Sequence, residues 1–303
     1  MLDHLKSFPF YFLPHHAISW LVYKLARIEW QPLKNLMLNV YLYLHEVNMS
    51  EAVEPNPYAY KNLNAFFTRA LKEDVRPFAT GDKTLLCPVD GAVSQAQDIV
   101  DGRIFQAKGH EYSLLELVGG IEHLAQPFQN GKFATLYLSP RDYHRIHMPL
   151  AGKLTDMVYV PGRLFSVAPH TVNTVPRLFA RNERVVCAFD TDYGPMIMVL
   201  VGAVNVSAID TVWAGPITPP SKNKIIHQQY KNGIEIRLEK GAEMGRFNLG
   251  STVIMLLPEH AKLDESIQAG NKVSLGQAMA NVSGFRVYNS KSSDSDTSTV
   301  FDD

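Results

Sequence analysis

Gly245-Arg246-Phe247-Asn248-Leu249-Gly250-Ser251-Thr252-Val253-Ile254 runs directly into Met255-Leu256-Leu257. The apolar run Val253–Leu257 reads as a buried strand, and the two-glycine segment before it as a polar loop. Ser251 therefore stands where a flexible loop becomes a rigid strand. Gly250 has no Cβ, so its carbonyl can be approached closely. A serine hydroxyl just after such a carbonyl can attack it from within the chain. The peptide bond becomes an ester, and β-elimination from the former serine then breaks the chain. The new terminus loses ammonia and becomes a pyruvoyl group, a ketone built from Ser251. A lone Gly-Ser-Thr tripeptide is far more often a plain turn, so partners elsewhere must carry the sharper reading.

Composition sets the frame around that stretch. The chain has 303 residues, 46% hydrophobic and 19% charged, enough for a sizeable core. A formal net charge of -1 leaves no nucleic-acid footprint. Cys87 and Cys187 give neither a disulfide framework nor metal-ligand spacing. No secretory signal pattern opens the sequence, and no stretch reaches the roughly 18 uninterrupted apolar residues of a spanning helix. Membrane contact, if made, is expected from one side.

The fold class expected is α+β: N-terminal membrane-associated helices followed by a β-rich, sandwich- or barrel-like core. Residues 1–75 read as a helical docking region. Ile18, Leu21, Val22, Leu25 and Ile28 recur at helical spacing, and Leu33, Leu36, Met37, Val40, Tyr41 and Leu44 do so after Pro32. The rings of Trp20, Tyr23, Trp30, Tyr41 and Tyr43 suit a lipid interface as well as a protein core. A short third helix is expected over Asn64–Leu71, capped by Asn62 or Asn64. Residues 76–288 carry β-rich runs at 91–96, 103–107, 132–138, 153–160, 184–189, 196–206, 234–238 and 252–257, too closely spaced for βαβ units. Residues 289–303, rich in Ser, Thr and Asp, read as a disordered tail.

Two further stretches carry candidate chemistry. In Ser139-Pro140-Arg141-Asp142-Tyr143-His144-Arg145-Ile146-His147-Met148-Pro149, Ser139 can cap a helical turn with Pro140 at its first position. That turn would place His144 and His147 on neighbouring parts of one face. They could bind a metal, act as acid and base, or fill a core; no third ligand shows recognisable spacing, so no metal is expected. In Cys87-Pro88-Val89-Asp90-Gly91, Asp90 could orient a histidine as in a serine-histidine-aspartate relay. His147 would take the proton from Ser251, and Asp90 would fix the imidazole tautomer.

Together these stretches resemble the membrane-associated bacterial phosphatidylserine decarboxylases, which are made as self-cleaving proenzymes. The resemblance rests on Leu249-Gly250-Ser251-Thr252, Val89-Asp90-Gly91, Ala107-Lys108-Gly109-His110-Glu111-Tyr112-Ser113-Leu114 and Tyr137 to Pro149. It continues through Val160-Pro161-Gly162-Arg163-Leu164-Phe165-Ser166-Val167, Leu178-Phe179-Ala180-Arg181-Asn182-Glu183-Arg184 and Val212-Trp213-Ala214-Gly215, in the same order. Val89 stands where a small alanine is more familiar. The resemblance implies a self-processing triad of Asp90, His147 and Ser251, with cleavage between Gly250 and Ser251. The two chains would stay together as a heterodimer, the smaller opening with the covalent pyruvoyl cofactor. It implies phosphatidylserine as substrate, phosphatidylethanolamine and CO2 as products, and His144 as candidate proton donor. It also implies peripheral attachment to the cytoplasmic face of the cell membrane. The alternatives are a membrane-associated serine hydrolase using Ser251, His147 and Asp90, a non-enzymatic β-rich binding protein, and a soluble pyruvoyl decarboxylase of a free amino acid. The hydrolase lacks the Gly-x-Ser-x-Gly elbow around Ser251.

Overall fold

The computed structural model describes residues 2–204, 208–219, 222–231, 233–248 and 251–282. The 289–303 tail, Leu249-Gly250 and the end of the strand expected over 196–206 lie outside the described residues. The helices are α1 (Leu2–Ser7), α2 (His15–Leu25), α3 (Gln31–Leu44), α4 (Leu63–Phe67), α5 (Leu114–Leu117), α6 (Glu122–Ala125), α7 (Pro169–Val172) and α8 (Leu178–Arg181). The strands are β1 (Thr84–Leu86), β2 (Gly91–Asp98), β3 (Arg103–Ala107), β4 (His110–Ser113), β5 (Lys132–Leu138), β6 (Arg145–His147), β7 (Gly152–Val160), β8 (Arg184–Thr191) and β9 (Gly194–Val201). They continue with β10 (Ala208–Thr211), β11 (Gly215–Thr218), β12 (Ile226–Gln229), β13 (Arg237–Leu238), β14 (Glu243–Asn248), β15 (Ser251–Leu257), β16 (Lys262–Leu263), β17 (Lys272–Val273) and β18 (Ala278–Asn281).

The main sheet runs β12-β7-β8-β9-β15-β5-β2-β17, with β13 also on β7, and its described pairings are antiparallel. All seven residues of β15 are buried. That explains its unbroken apolar run: a central strand covered on both faces has no solvent side on which to alternate. A four-stranded sheet, β11-β10-β14-β6, contributes Ile146, Ile209, Met244 and Phe247 to the same core. Gly245–Asn248 is not a polar loop but the end of β14, which pairs with β6 on one side and β10 on the other.

The N-terminal helices present their apolar residues outward. α3 buries Lys34 and Leu38 while Leu36, Val40, Tyr43 and Leu44 are exposed. The buried Lys34 ammonium donates to the carbonyls of Tyr58 (2.7 Å) and Tyr60 (3.0 Å). α2 likewise buries His15 and Ser19 while Trp20, Leu21 and Leu25 face out. Asn62 caps α4 through the Ala65 N–H. These helices are tied to the β-rich part: Tyr41 donates to the Pro140 carbonyl (2.5 Å), Arg145 to the Thr68 carbonyl (3.0 Å) and Arg27 to Asn248 (3.3 Å).

Candidate active site

Ser251 opens β15 and sits in register with Leu138, the last residue of β5. Its side chain is fully buried, and Oγ has no partner among the described residues. A buried, unpaired hydroxyl is costly, and such exceptions concentrate where chemistry is done. The residue opens onto a cavity of about 310 Å³ bounded by Tyr41, Phe67, Tyr137, Pro140 and Val204. α3 and α4 therefore supply one wall, and the ends of β5 and β9 supply the others.

The stretch around His144 departs from the helical turn expected of it. The Asp142 carboxylate accepts from both the N–H and the hydroxyl of Ser139, each at 2.7 Å, closing a tight turn. Arg145–His147 then extends as β6. An extended backbone sends residues three apart to opposite faces, so His144 and His147 do not share a face. Pairing with β14 overrides the local helical signals. It sets His147 opposite Glu243, while the Phe247 N–H donates to the His144 carbonyl. His144 is thus the histidine beside the segment that leads to Ser251.

The two rings differ in chemistry. His144 is fully buried and stacks on Phe67 with centroids 4.0 Å apart. Its Nε2 lies 3.0 Å from the Ser139 carbonyl; a carbonyl only accepts, so Nε2 carries the proton. Nδ1 therefore bears the lone pair, and it has no partner among the described residues. Burial, with the nearby Arg69 charge, pushes His144 down to about 3, so the ring is neutral near pH 7. His147 has the other tautomer. Its Nδ1–H donates to the Gly241 carbonyl at 2.7 Å, and Nε2 faces the Tyr143 hydroxyl at 3.1 Å. Burial lowers its pKa, while the Gly241 carbonyl and the Glu243 charge pull it back upward. Gly241 has φ +81°, and a Cβ there would lie 2.2 Å from the Phe78 ring. Only glycine can deliver that carbonyl without displacing Phe78.

Asp90 accepts a two-pronged bond from Arg76, at 2.9 Å from Nε and 2.7 Å from Nη2, and a third from the Leu275 N–H at 2.7 Å. Arg76 is shared with Glu51. Asp90 influences His147 by charge alone, while the Gly241 carbonyl sets the tautomer in this arrangement. No hydrogen bond among the described residues joins Asp90 to His147, or His147 to Ser251. The backbone brings the first pair close, since the His147 N–H donates to the Pro88 carbonyl. Tyr143, Arg76, Gly241 and Phe67 are additions from the structure. Tyr143 lay within the quoted histidine motif; the others had no signal in spacing. Cys87 and Cys187 are free and buried.

Ser251 is thus a buried serine, unsatisfied among the described residues, at the mouth of a central strand, with a neutral histidine on the adjoining turn. Residues 63–281 match the family model described as phosphatidylserine decarboxylase. The chain belongs to the phosphatidylserine decarboxylase family. A second model, described as PSD, matches residues 5–40. Among relatives named phosphatidylserine decarboxylase proenzyme, that of Alkalilimnicola ehrlichii is 55% identical over 84% of this chain and 88% of its own length. Those of Pseudomonas entomophila and Pseudomonas aeruginosa are 55% and 53% identical, each over 89% of this chain and 95% and 94% of their own. Membership of this decarboxylase family leaves the serine-hydrolase alternative without support.

Proposed function

We propose that this chain decarboxylates phosphatidylserine to phosphatidylethanolamine and CO2, after cutting itself between Gly250 and Ser251. The observation that carries the reading is the Ser251 hydroxyl, buried without a described partner at the edge of a largely apolar cavity. In the first stage Ser251 is the nucleophile. We assign His147 as the base, receiving the proton at Nε2, and Asp90 as the charge that favours its protonated form. Cleavage gives a large chain of 250 residues and a small one of 53. They stay together because β15, the first strand of the small chain, is hydrogen-bonded between β5 and β9 of the large one.

A covalent pyruvoyl group derived from Ser251 fits this place. The position is buried, faces open cavity volume, and is held by strand pairing from Thr252 onward. Such a group supplies an electron sink for the bond that releases CO2. The chain's own residues do the rest. Phe67, Tyr137 and Val204 line the reacting position with largely apolar surface. We assign His144 to the proton step: Nδ1, which bears the lone pair, takes up a proton from water and passes it to the former α-carbon, while Nε2–H stays on the Ser139 carbonyl.

The exposed apolar faces of α2 and α3 support peripheral docking on a membrane, which we place at the cytoplasmic face by the family resemblance. Among the described residues no helix is long and apolar enough to cross a membrane. Docking would place the α3–α4 wall of the cavity beside a lipid headgroup whose acyl chains stay in the bilayer.

Intact mass spectrometry tests the assignment. The active protein is expected as two chains, the smaller opening with a ketone and no amine. Ser251→Ala, His147→Ala and Asp90→Ala are expected to remain whole. His144→Ala is expected to cleave but not to decarboxylate; failure to cleave would move the base role to His144. A wild-type chain that stays whole and active would overturn the mechanism.

A further inference from the structure

Three side chains from three separate elements meet at the edge of the main sheet, away from Ser251. Asp156 lies on β7, His227 on the edge strand β12, and His123 on α6. The β12–β7 register puts Gln229 opposite Asp156 and His227 two residues along on the same face. One carboxylate oxygen, Oδ1 of Asp156, lies 2.6 Å from Nε2 of His227 and 3.2 Å from Nε2 of His123. The Gln229 amide nitrogen donates to it from 3.3 Å. The three candidate ligand atoms all lie within 4.8 Å of one another. Asp156 is buried (4% exposed), while the His123 side chain is half-exposed, so the cluster has a buried anion and an open side.

We propose that His123, Asp156 and His227 form a binding site for a divalent transition-metal ion of the Zn²⁺ type. Two imidazole nitrogens and one carboxylate oxygen are a donor set such ions take with three protein ligands and water in the remaining position. Nitrogen donors disfavour Mg²⁺ and Ca²⁺, which take oxygen. Ligand bonds of about 2.0–2.2 Å around a tetrahedral ion set neighbouring donors roughly 3.4 Å apart. The His123 distance already matches. His227 has to open from Asp156 by less than an ångström, on a strand with a neighbour on only one side among the described residues. On binding, each neutral imidazole carries its proton at Nδ1 and turns its Nε2 lone pair to the ion. The ion then replaces the two N–H bonds to Asp156. The ion would clamp α6 and β12 onto β7. β12 is four strands from β15, roughly 19 Å at sheet spacing, so the site is separate from the reaction centre. Sequence separations of 33 and 71 residues between these partners gave no ligand-spacing signal.

The test uses the processed two-chain protein without an affinity tag, stripped with EDTA and desalted, then titrated with ZnCl2 by calorimetry. One equivalent is expected to bind, and a 100-fold excess over Kd shifts the folding equilibrium about 100-fold, read as a rise in Tm. His227→Ala and His123→Ala are each expected to weaken binding at least tenfold and to abolish the Tm rise. His123 is exposed enough for its variant to fold, which circular dichroism confirms. MgCl2 should leave Tm unchanged. No uptake by the wild type, uptake unchanged in both variants, or an equal response to Mg²⁺ would overturn the proposal.

Discussion

Phe67→Ala tests whether the N-terminal helices are an integral wall of the active site. Phe67 is fully buried on α4, stacks on His144 at 4.0 Å and meets Tyr41 edge-on at 6.1 Å. It also lines the cavity beside Ser251. Truncating a buried phenylalanine costs about 3–5 kcal/mol. One side of this ring already faces cavity volume that water can fill, so the low end, about 3 kcal/mol, is expected. At about 2–4 °C per kcal/mol for a protein of this size, Tm should fall by roughly 6–12 °C. The measurement belongs on the Ser251→Ala background, where every molecule stays whole and cleavage cannot confuse the unfolding. Thermal denaturation of Ser251→Ala and of the double variant gives the difference directly. A fall below about 2 °C would refute the reasoning, because a ring ordered between His144 and Tyr41 cannot be removed so cheaply. Opening the wall should also hydrate His144, moving it up from about 3.

Two further outcomes follow from buried cations and imidazoles. His144 is pushed down to about 3 and His15 to about 4, both chiefly by burial. Each therefore binds its proton more readily unfolded than folded. Their stabilising contribution is complete above about pH 6.5 and is lost on acidification toward the folded values. By pH 5 the His144 loss is about 2 kcal/mol, read as a lower urea midpoint that flattens in His144→Gln. Arg184, 2% exposed, donates to the carbonyls of Glu116, Leu117, Ala180 and Asn182 at 2.6–2.8 Å. Arg184→Lys offers three donors to four acceptors, so about 2 kcal/mol and roughly 4–8 °C of Tm should be lost. An unchanged melt would show that water takes up the vacated carbonyl.

Much of the chain's order is local and could be read directly. The unbroken run Val253–Leu257 signals a strand covered on both faces, and β15 is that strand. An asparagine cap at 62 or 64, β3 at 103–107 and β5 at 132–138 also follow from nearest-neighbour chemistry, and the structure selects Asn62. The motifs around Ser251 and His144 were legible as a group because the resemblance spans many separate stretches. Pairing between distant segments was not legible. Ser139 to His147 holds the local signs of a helical turn, yet the pairing of β14 draws Arg145–His147 into a strand after a tight turn at Ser139–Asp142 and separates the two histidines. The apolar spacing of α3 identified a helix but not which side faces out, because periodicity carries no label for solvent. The fold turns Lys34 inward onto two carbonyls and leaves Leu36 and Leu44 outside. By itself, then, the sequence determined the strand that carries Ser251, the helical character of the N-terminus and the family chemistry. Only the tertiary structure decided that His144 lies beside the strand leading to Ser251, that the Gly241 carbonyl fixes the tautomer of His147, and that α3 and α4 wall the cavity. Those choices are set by contacts between residues dozens to hundreds of positions apart, which no local pattern encodes.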